Sequence, residues 1–237
     1  MIKAVLFDLD GTLLPMDQDK FLEYYMQLLA GKMAPYGFEP RLFVKALVQG
    51  VMAVVNDNSG RLNEDVFWEY FASVFGEECL KYKPFLDEFY KTDYIECKKL
   101  CGFDERAAKL VSFVKEKGLR AVLATSPFYP SVAVEQRVSW AGIAPEEFEL
   151  ITCYSNSHSC KPHKEYYLET AKMLGLEPEE CLMIGNDTHD DIASLDVGMK
   201  FFLLTDWLIN KEEKDISSFV HGSFDELKAY INELTEG

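Results

Sequence analysis

No apolar run in the 237 residues approaches the roughly 18 needed for a membrane-spanning helix. Positive charge is scarce: 24 Lys and Arg stand against 40 Asp and Glu, a net charge of −16. A surface this acidic repels phosphate backbones and anionic membranes, so neither a nucleic-acid nor a membrane partner is expected. Glycine (14) and proline (9) are too few for collagen-like or low-complexity structure. The opening Met1-Ile2-Lys3 runs into a short apolar stretch that ends in acids. It lacks the long apolar core and small-residue cleavage site of a signal peptide, so a cytoplasmic location is expected. Six cysteines (Cys79, Cys97, Cys101, Cys153, Cys160, Cys181) do not make a disulfide framework in a chain this long, and packed thiols are expected.

The composition is ordinary for a globular protein: 48% of residues are hydrophobic and 27% charged. Five nearly continuous apolar runs read as strands: Ile2 to Asp8, Leu119 to Thr125, Phe148 to Tyr154, Cys181 to Gly185 and Lys200 to Thr205. Such runs fit parallel strands covered on both faces. Helical patterns lie at Glu105 to Lys117, Ser131 to Trp140, Lys164 to Leu174, His189 to Val197 and Phe224 to Leu234. Gly118, Gly142, Gly175 and Gly198 stand near helix ends. This alternation predicts a doubly wound α/β domain with a five-stranded parallel sheet.

Residues 15–102 differ. Phe21, Tyr24, Tyr25, Leu28 and Leu29, and then Leu42, Phe43, Ala46 and Leu47, recur at helical spacing, and no strand pattern is visible. A helical insert of ~90 residues is the size of a small domain. The expected organisation is therefore a core domain of residues 1–14 and 103–237 with a helical cap domain of residues 15–102.

Ligands of open α/β sheets bind beyond the carboxyl ends of the strands. Four polar groups follow four of the predicted strands there: Asp8-Leu9-Asp10-Gly11-Thr12, Thr125-Ser126, Lys161-Pro162, and Asn186-Asp187-Thr188-His189-Asp190-Asp191. Singly, each has a plain structural reading as a turn or a helix entry. Together they place several acids and one lysine on a single edge. Crowded carboxylates repel, and a hard cation such as Mg²⁺, which prefers oxygen ligands, relieves that repulsion. Asp8 could then stay ionised as a nucleophile, and Lys161 could offset charge on a phosphoryl group. Thr125 offers a hydroxyl to that group, and Asp10, two residues from Asp8, is placed for proton transfer.

The segments FDLDGT, LATS, CKP and IGNDTHDD resemble the four motifs of the haloacid dehalogenase-like hydrolase superfamily, and the helical insert sits where that superfamily carries its type-1 cap. The resemblance implies an Mg²⁺-dependent phosphatase of small phosphorylated metabolites that forms an aspartyl-phosphate. It would make Asp8 the nucleophile and Asp10 the general acid/base, with the backbone carbonyl of Asp10 a metal ligand. Thr125, with Ser126 beside it, would bind phosphate, and Lys161 would steady the nucleophile and the phosphoryl charge. Asp187 would complete the metal site of Asp8 and Asp10, supported by Asp191 at DxxxD spacing. The fourth motif usually reads Gly-Asp. Here Asn186 takes the place of that glycine, and counting from Asn186 makes Asp190 the alternative ligand. Ser126 stands where asparagine is common.

Dehalogenases of the superfamily carry an aromatic residue where Asp10 stands, so dehalogenation is not expected. A phosphomutase of the same superfamily is one alternative. Its cap would carry histidine, whereas His158, His163, His189 and His221 all lie outside the insert. A non-catalytic relative that binds a phosphorylated ligand or a protein is another. The chain is expected to be a monomer or a small homo-oligomer. Cys153, His158, Cys160 and His163 are zinc-ligand types close together, but C-x4-H-x-C-x2-H matches no zinc pattern and packed residues are expected.

Overall fold

The computed structural model describes residues 1–236; Gly237, where the expected core domain ends, lies outside them. At its centre is strand β1 (Ala4–Phe7), all four of whose residues are buried. It pairs in parallel with β2 (Arg120–Leu123) on one side and β4 (Cys181–Gly185) on the other. Strand β3 (Leu150–Ile151) extends the sheet beyond β2, and β5 (Lys200–Leu204) and β6 (His221–Gly222) extend it beyond β4. The order is β3-β2-β1-β4-β5-β6.

Alternation along β1 explains the two layers around the sheet. Val5 and Phe7 join a core that includes Leu110 and Val114 of α5 (Glu105–Glu116), Val134 and Val138 of α6 (Ser131–Trp140), and Leu227 and Ile231 of α8 (Phe224–Glu236). Ala4 and Leu6 join the opposite core with Tyr166, Tyr167 and Ala171 of α7 (Lys164–Met173). A sheet covered on both faces accounts for the unbroken apolar runs in its strands.

The sheet has six strands rather than the expected five. The sixth contributes only His221 and Gly222 to the ladder, too short a segment to leave an apolar pattern. The run Phe148 to Tyr154 keeps regular pairing only at Leu150–Ile151. The segment expected as a helix from His189 is a tighter 3₁₀ helix that begins at Asp191 and ends at Val197, followed by Gly198 at φ 91°. Asp187 causes the late start: its Oδ1 accepts from the backbone N–H groups of His189 (2.6 Å) and Asp190 (3.1 Å) and holds both in a turn.

Between β1 and α5 the ordered elements are helical: α1 (Gln18–Met33), α2 (Pro40–Asn56), α3 (Asn63–Phe75) and α4 (Lys83–Lys91), with short 3₁₀ segments. Asp17 caps α1 and Glu39 caps α2, each accepting backbone N–H bonds of the first turn. Phe43, Phe71, Phe89 and Tyr94 are fully buried in this part and belong to the same core as Phe7. Where the segment enters and leaves, Met16 and Cys101 form an isolated antiparallel bridge and Gly102 N–H donates to Pro15 O at 2.6 Å. No helix among the described residues is long and apolar enough to cross a membrane. All six cysteines are free thiols.

Leu62, which precedes α3, has no capping side chain. The open N–H groups of the first turn go instead to the loop after β3: Asn63 N–H to Ser157 O and Glu64 N–H to Tyr154 O, both 2.9 Å. The buried Asn63 amide also donates to Ser159 O (3.0 Å) and Pro127 O (3.3 Å). Asn63→Ala leaves both carbonyls without this donor and is expected to cost about 1–3 kcal/mol in urea unfolding. An unchanged midpoint would show that the amide contributes nothing to holding α3 on the loop.

Candidate active site

Strands β1 and β4 are neighbours whose connections leave in opposite directions, and the crevice beyond their carboxyl ends is the switch point of the sheet. Asp8 follows β1 there, its N–H extending the ladder to Ile184 O at 2.9 Å. The chain then turns sharply at Gly11, where φ is +87° and a Cβ would lie 2.3 Å from the Asn186 amide nitrogen. Both facts require glycine. The turn brings the Thr12 hydroxyl to Asn186 Oδ1 (3.1 Å) and Asp8 Oδ2 (3.3 Å). Asn186, one residue beyond β4, is fully buried and donates to Trp207 O at 2.7 Å.

Lys161 lies at the middle of the site with its side chain 1% exposed. Its Nζ donates to Asp8 Oδ1 at 2.8 Å and to Asp191 Oδ1 at 2.6 Å. Burial disfavours the charged lysine, but Asp191 and Asp8 outweigh it and hold its pKa well above the usual lysine value. The second oxygen of Asp191 accepts from Asp187 N–H at 3.0 Å. This carboxylate packs directly on Gly185, where a Cβ would lie 2.1 Å from it. Burial raises the Asp191 carboxyl above the usual acid range, opposed by Lys161 and helped by Asp8. Burial also raises Asp190, with Asp187 adding repulsion.

Thr125 and Ser126 follow β2. The Thr125 carbonyl is fixed by the hydroxyls of Thr152 (2.7 Å) and Tyr166 (3.0 Å), which tie the loop to α7. A cavity of about 370 Å³ brings all seven sequence-predicted residues together: Asp8, Asp10, Thr125, Ser126, Lys161, Asp187 and Asp191 line it, and so does Asp190. The second constellation does not gather. The ring of His158 bonds Glu169, that of His163 bonds Val55 O, and Cys160 is fully buried. Exposed His189 is outside the cavity lining.

Arg137 is the residue that motif reading missed. Its side chain is 1% exposed, and Nη1 donates to Asp10 Oδ2. The guanidinium also lies over the Tyr129 ring, 4.3 Å from its centre. The signal was present in the helical pattern, since Arg137 falls three and four residues after the buried Val134 and Ala133, on the inward stripe of α6. A cation on that stripe calls for a buried acid. Burial raises the Asp10 carboxyl, Arg137 opposes the rise, and Asp8 adds to it. Asp10 Oδ1 has no hydrogen-bond partner among the described residues, and the Asp10 carbonyl accepts from the Gln18 amide at 2.9 Å.

Removing the cation from this pair leaves a buried carboxylate uncompensated. Arg137→Met is expected to cost about 3 kcal/mol in urea unfolding, and the double variant with Asp10→Leu to recover much of it. A single variant within about 0.5 kcal/mol of the parent would contradict a structural ion pair.

The chain is 26% identical over 202 residues to N-acetylmuramic acid 6-phosphate phosphatase of Pseudomonas aeruginosa, covering 84% of this chain and 80% of that protein. It is 23% identical over 200 residues to pyrophosphatase PpaX of Bacillus cereus, covering 84% of this chain and 81% of that protein. Among solved structures, a HAD phosphatase from Thermococcus onnurineus superposes with a TM-score of 0.58 at 18% identity, covering 97% of this chain and 98% of that one, a likeness of fold. The family model of the haloacid dehalogenase-like hydrolases matches residues 2–196, and the chain belongs to that family.

Proposed function

We propose that the protein is an Mg²⁺-dependent phosphatase of small phosphorylated metabolites that works through an aspartyl-phosphate on Asp8. The observation that carries this reading is Lys161, buried between Asp8 and Asp191 at the switch point of the sheet. Its ammonium holds the Asp8 carboxylate in place and leaves a positive charge beside the position of an incoming phosphoryl group. Family membership and the phosphatase names of two relatives support the same reaction class.

The donor set suits a hard cation. Asp8, the Asp10 carbonyl and Asp187 supply only oxygen, and the carboxyls of Asp8, Asp10, Asp187, Asp190 and Asp191 gather in one cavity. Among the described residues no three acidic, histidine or cysteine side chains form a ready-made cage. Mg²⁺ needs none, since one or two carboxylates with water and substrate oxygens suffice. When bound by Asp8, the Asp10 carbonyl and Asp187, with Asp191 in support, it supplies charge that neutralises phosphoryl oxygens.

In this reading the Asp8 carboxylate attacks phosphorus, held by Lys161 at Oδ1 (2.8 Å) and more loosely by the Thr12 hydroxyl at Oδ2 (3.3 Å). The Thr125 hydroxyl and Ser126 orient the phosphoryl oxygens. Arg137 holds Asp10 Oδ2, so the unpartnered Oδ1 is the atom that carries the proton to the leaving oxygen. Burial raises the pKa of Asp10 and favours the protonated form that this step requires. Asp10 then takes a proton from the water that cleaves the aspartyl-phosphate. Residues 15–102 act as the cap that limits water during transfer, and 1–14 with 103–237 form the core.

Asp8→Asn is expected to lower phosphate release by at least about a thousandfold while circular dichroism stays that of the parent. EDTA is expected to stop the parent enzyme, and added Mg²⁺ to restore it. Near-parental turnover by folded Asp8→Asn would overturn the nucleophile assignment, and turnover unaffected by EDTA would overturn the metal assignment.

A further inference from the structure

The cavity that holds the acids continues into the helical segment, and its wall changes character on the way. Beyond Asp8 and Asp10 it is formed by Phe21 and Leu29 of α1, Leu47 and Val51 of α2, Phe67 of α3 and Tyr90 of α4. These are aliphatic and aromatic surfaces, and burial of apolar groups against them is favourable. The cavity volume of about 370 Å³ lies within the roughly 300–1,000 Å³ of small-molecule sites.

Charge decides what can sit there. Among the described residues Lys161 is the only cationic one in the lining, and its ammonium is already bonded to Asp8 and Asp191. Among the described residues no arginine or histidine lines the wall, and the charged residue on the helical side is an acid, Asp87. A leaving group with a second phosphate or a carboxylate would be desolvated without a counter-charge, which is strongly unfavourable.

Polar capacity is also small. The Tyr25 and Tyr90 hydroxyls bond each other at 2.5 Å, and the Gln18 amide is bonded to the Asp10 carbonyl. Among the described residues the buried Trp68 Nε1 has no hydrogen-bond partner, which leaves one indole donor on this wall. A sugar with several hydroxyls would leave most of them unmatched. Toward solvent the lining ends in Leu22, Val48 and Met52, which are 40%, 39% and 44% exposed, so the apolar character runs out to the mouth.

We propose that the substrate is a phosphate monoester of an uncharged, apolar alcohol, with an alkyl or aryl group filling the helical side of the cavity. This assignment rests on the phosphatase reading of the acid site. It sets the protein apart from the two named relatives, whose names specify a pyrophosphate and N-acetylmuramic acid 6-phosphate, both with additional negative charge.

The test is the homologous series of ethyl, butyl, hexyl and octyl phosphate, with glucose 6-phosphate, phosphoglycolate and pyrophosphate alongside and acetyl phosphate as a minimal phosphoryl donor. Alkyl esters share one leaving-group chemistry, so their kcat/KM values report burial of the chain. The expected rise is about fourfold per methylene, roughly 250-fold from ethyl to hexyl, with the sugar and anionic esters below the hexyl ester. Met52→Arg at the mouth is expected to reduce the octyl-to-ethyl ratio at least tenfold. Acetyl phosphate turnover with a flat alkyl series, or with preference for an anionic ester, overturns the apolar-substrate proposal and leaves the phosphatase reading standing. Absence of all turnover, acetyl phosphate included, overturns the phosphatase reading. Calorimetric titration with ethyl-, hexyl- and octylphosphonate in Mg²⁺ buffer then decides the apolar wall by itself: affinity rising with chain length supports it, and equal affinities overturn it.

Discussion

Lys161 sits in the interior with its ammonium bonded to Asp8 and Asp191, and neither those acids nor the lysine could be buried there alone. This mutual dependence ties together three parts of the chain that are far apart in sequence: the end of β1, the loop before α7, and the loop after β4. Close approach of the three demands small residues beside them. Gly185 lies under the Asp191 carboxylate, and Gly11 lies against Asn186. The parallel pairing of β1 with β4 supplies the scaffold, since register Phe7 to Ile184 sets Asp8 beside the loop that carries Asp187 and Asp191.

A second ion pair acts on the opposite side of the same turn. Arg137 reaches Asp10 from α6, and with its guanidinium also on the Tyr129 ring it fixes one carboxylate oxygen of Asp10. Two adjacent acids are thus held by two different cations. Lys161 holds Asp8 Oδ1, while burial raises the Asp10 carboxyl and Arg137 only opposes that effect. The helical segment completes the arrangement by laying aromatic and aliphatic walls over the acids, and α3 is held to the loops of the core by its own unfilled N–H groups.

Much of this was legible in the sequence because buried parallel strands leave unbroken apolar runs, and the residues after those runs fall on one edge. The seven residues read from that edge line one cavity. What escaped has physical reasons. β6 rests on backbone pairing by His221 and Gly222, which no apolar pattern marks. The 3₁₀ winding from Asp191 follows from capping of the preceding turn by Asp187, a side-chain choice that helical periodicity does not encode. Arg137 pairs with a residue 127 positions away, so only its place on an inward helical stripe could have pointed to it. Likewise, periodicity indicates that the helices of residues 15–102 have apolar faces but not which of those faces meets the acids.

The central claim is that Asp8 becomes covalently phosphorylated. The most direct measurement is to quench the enzyme during turnover, reduce with borohydride and sequence the N-terminal peptide by mass spectrometry. An acyl phosphate is reduced to an alcohol, so the account predicts homoserine at position 8 and unaltered aspartate at position 10. Full turnover with unmodified Asp8, or homoserine at Asp10 instead, would contradict it.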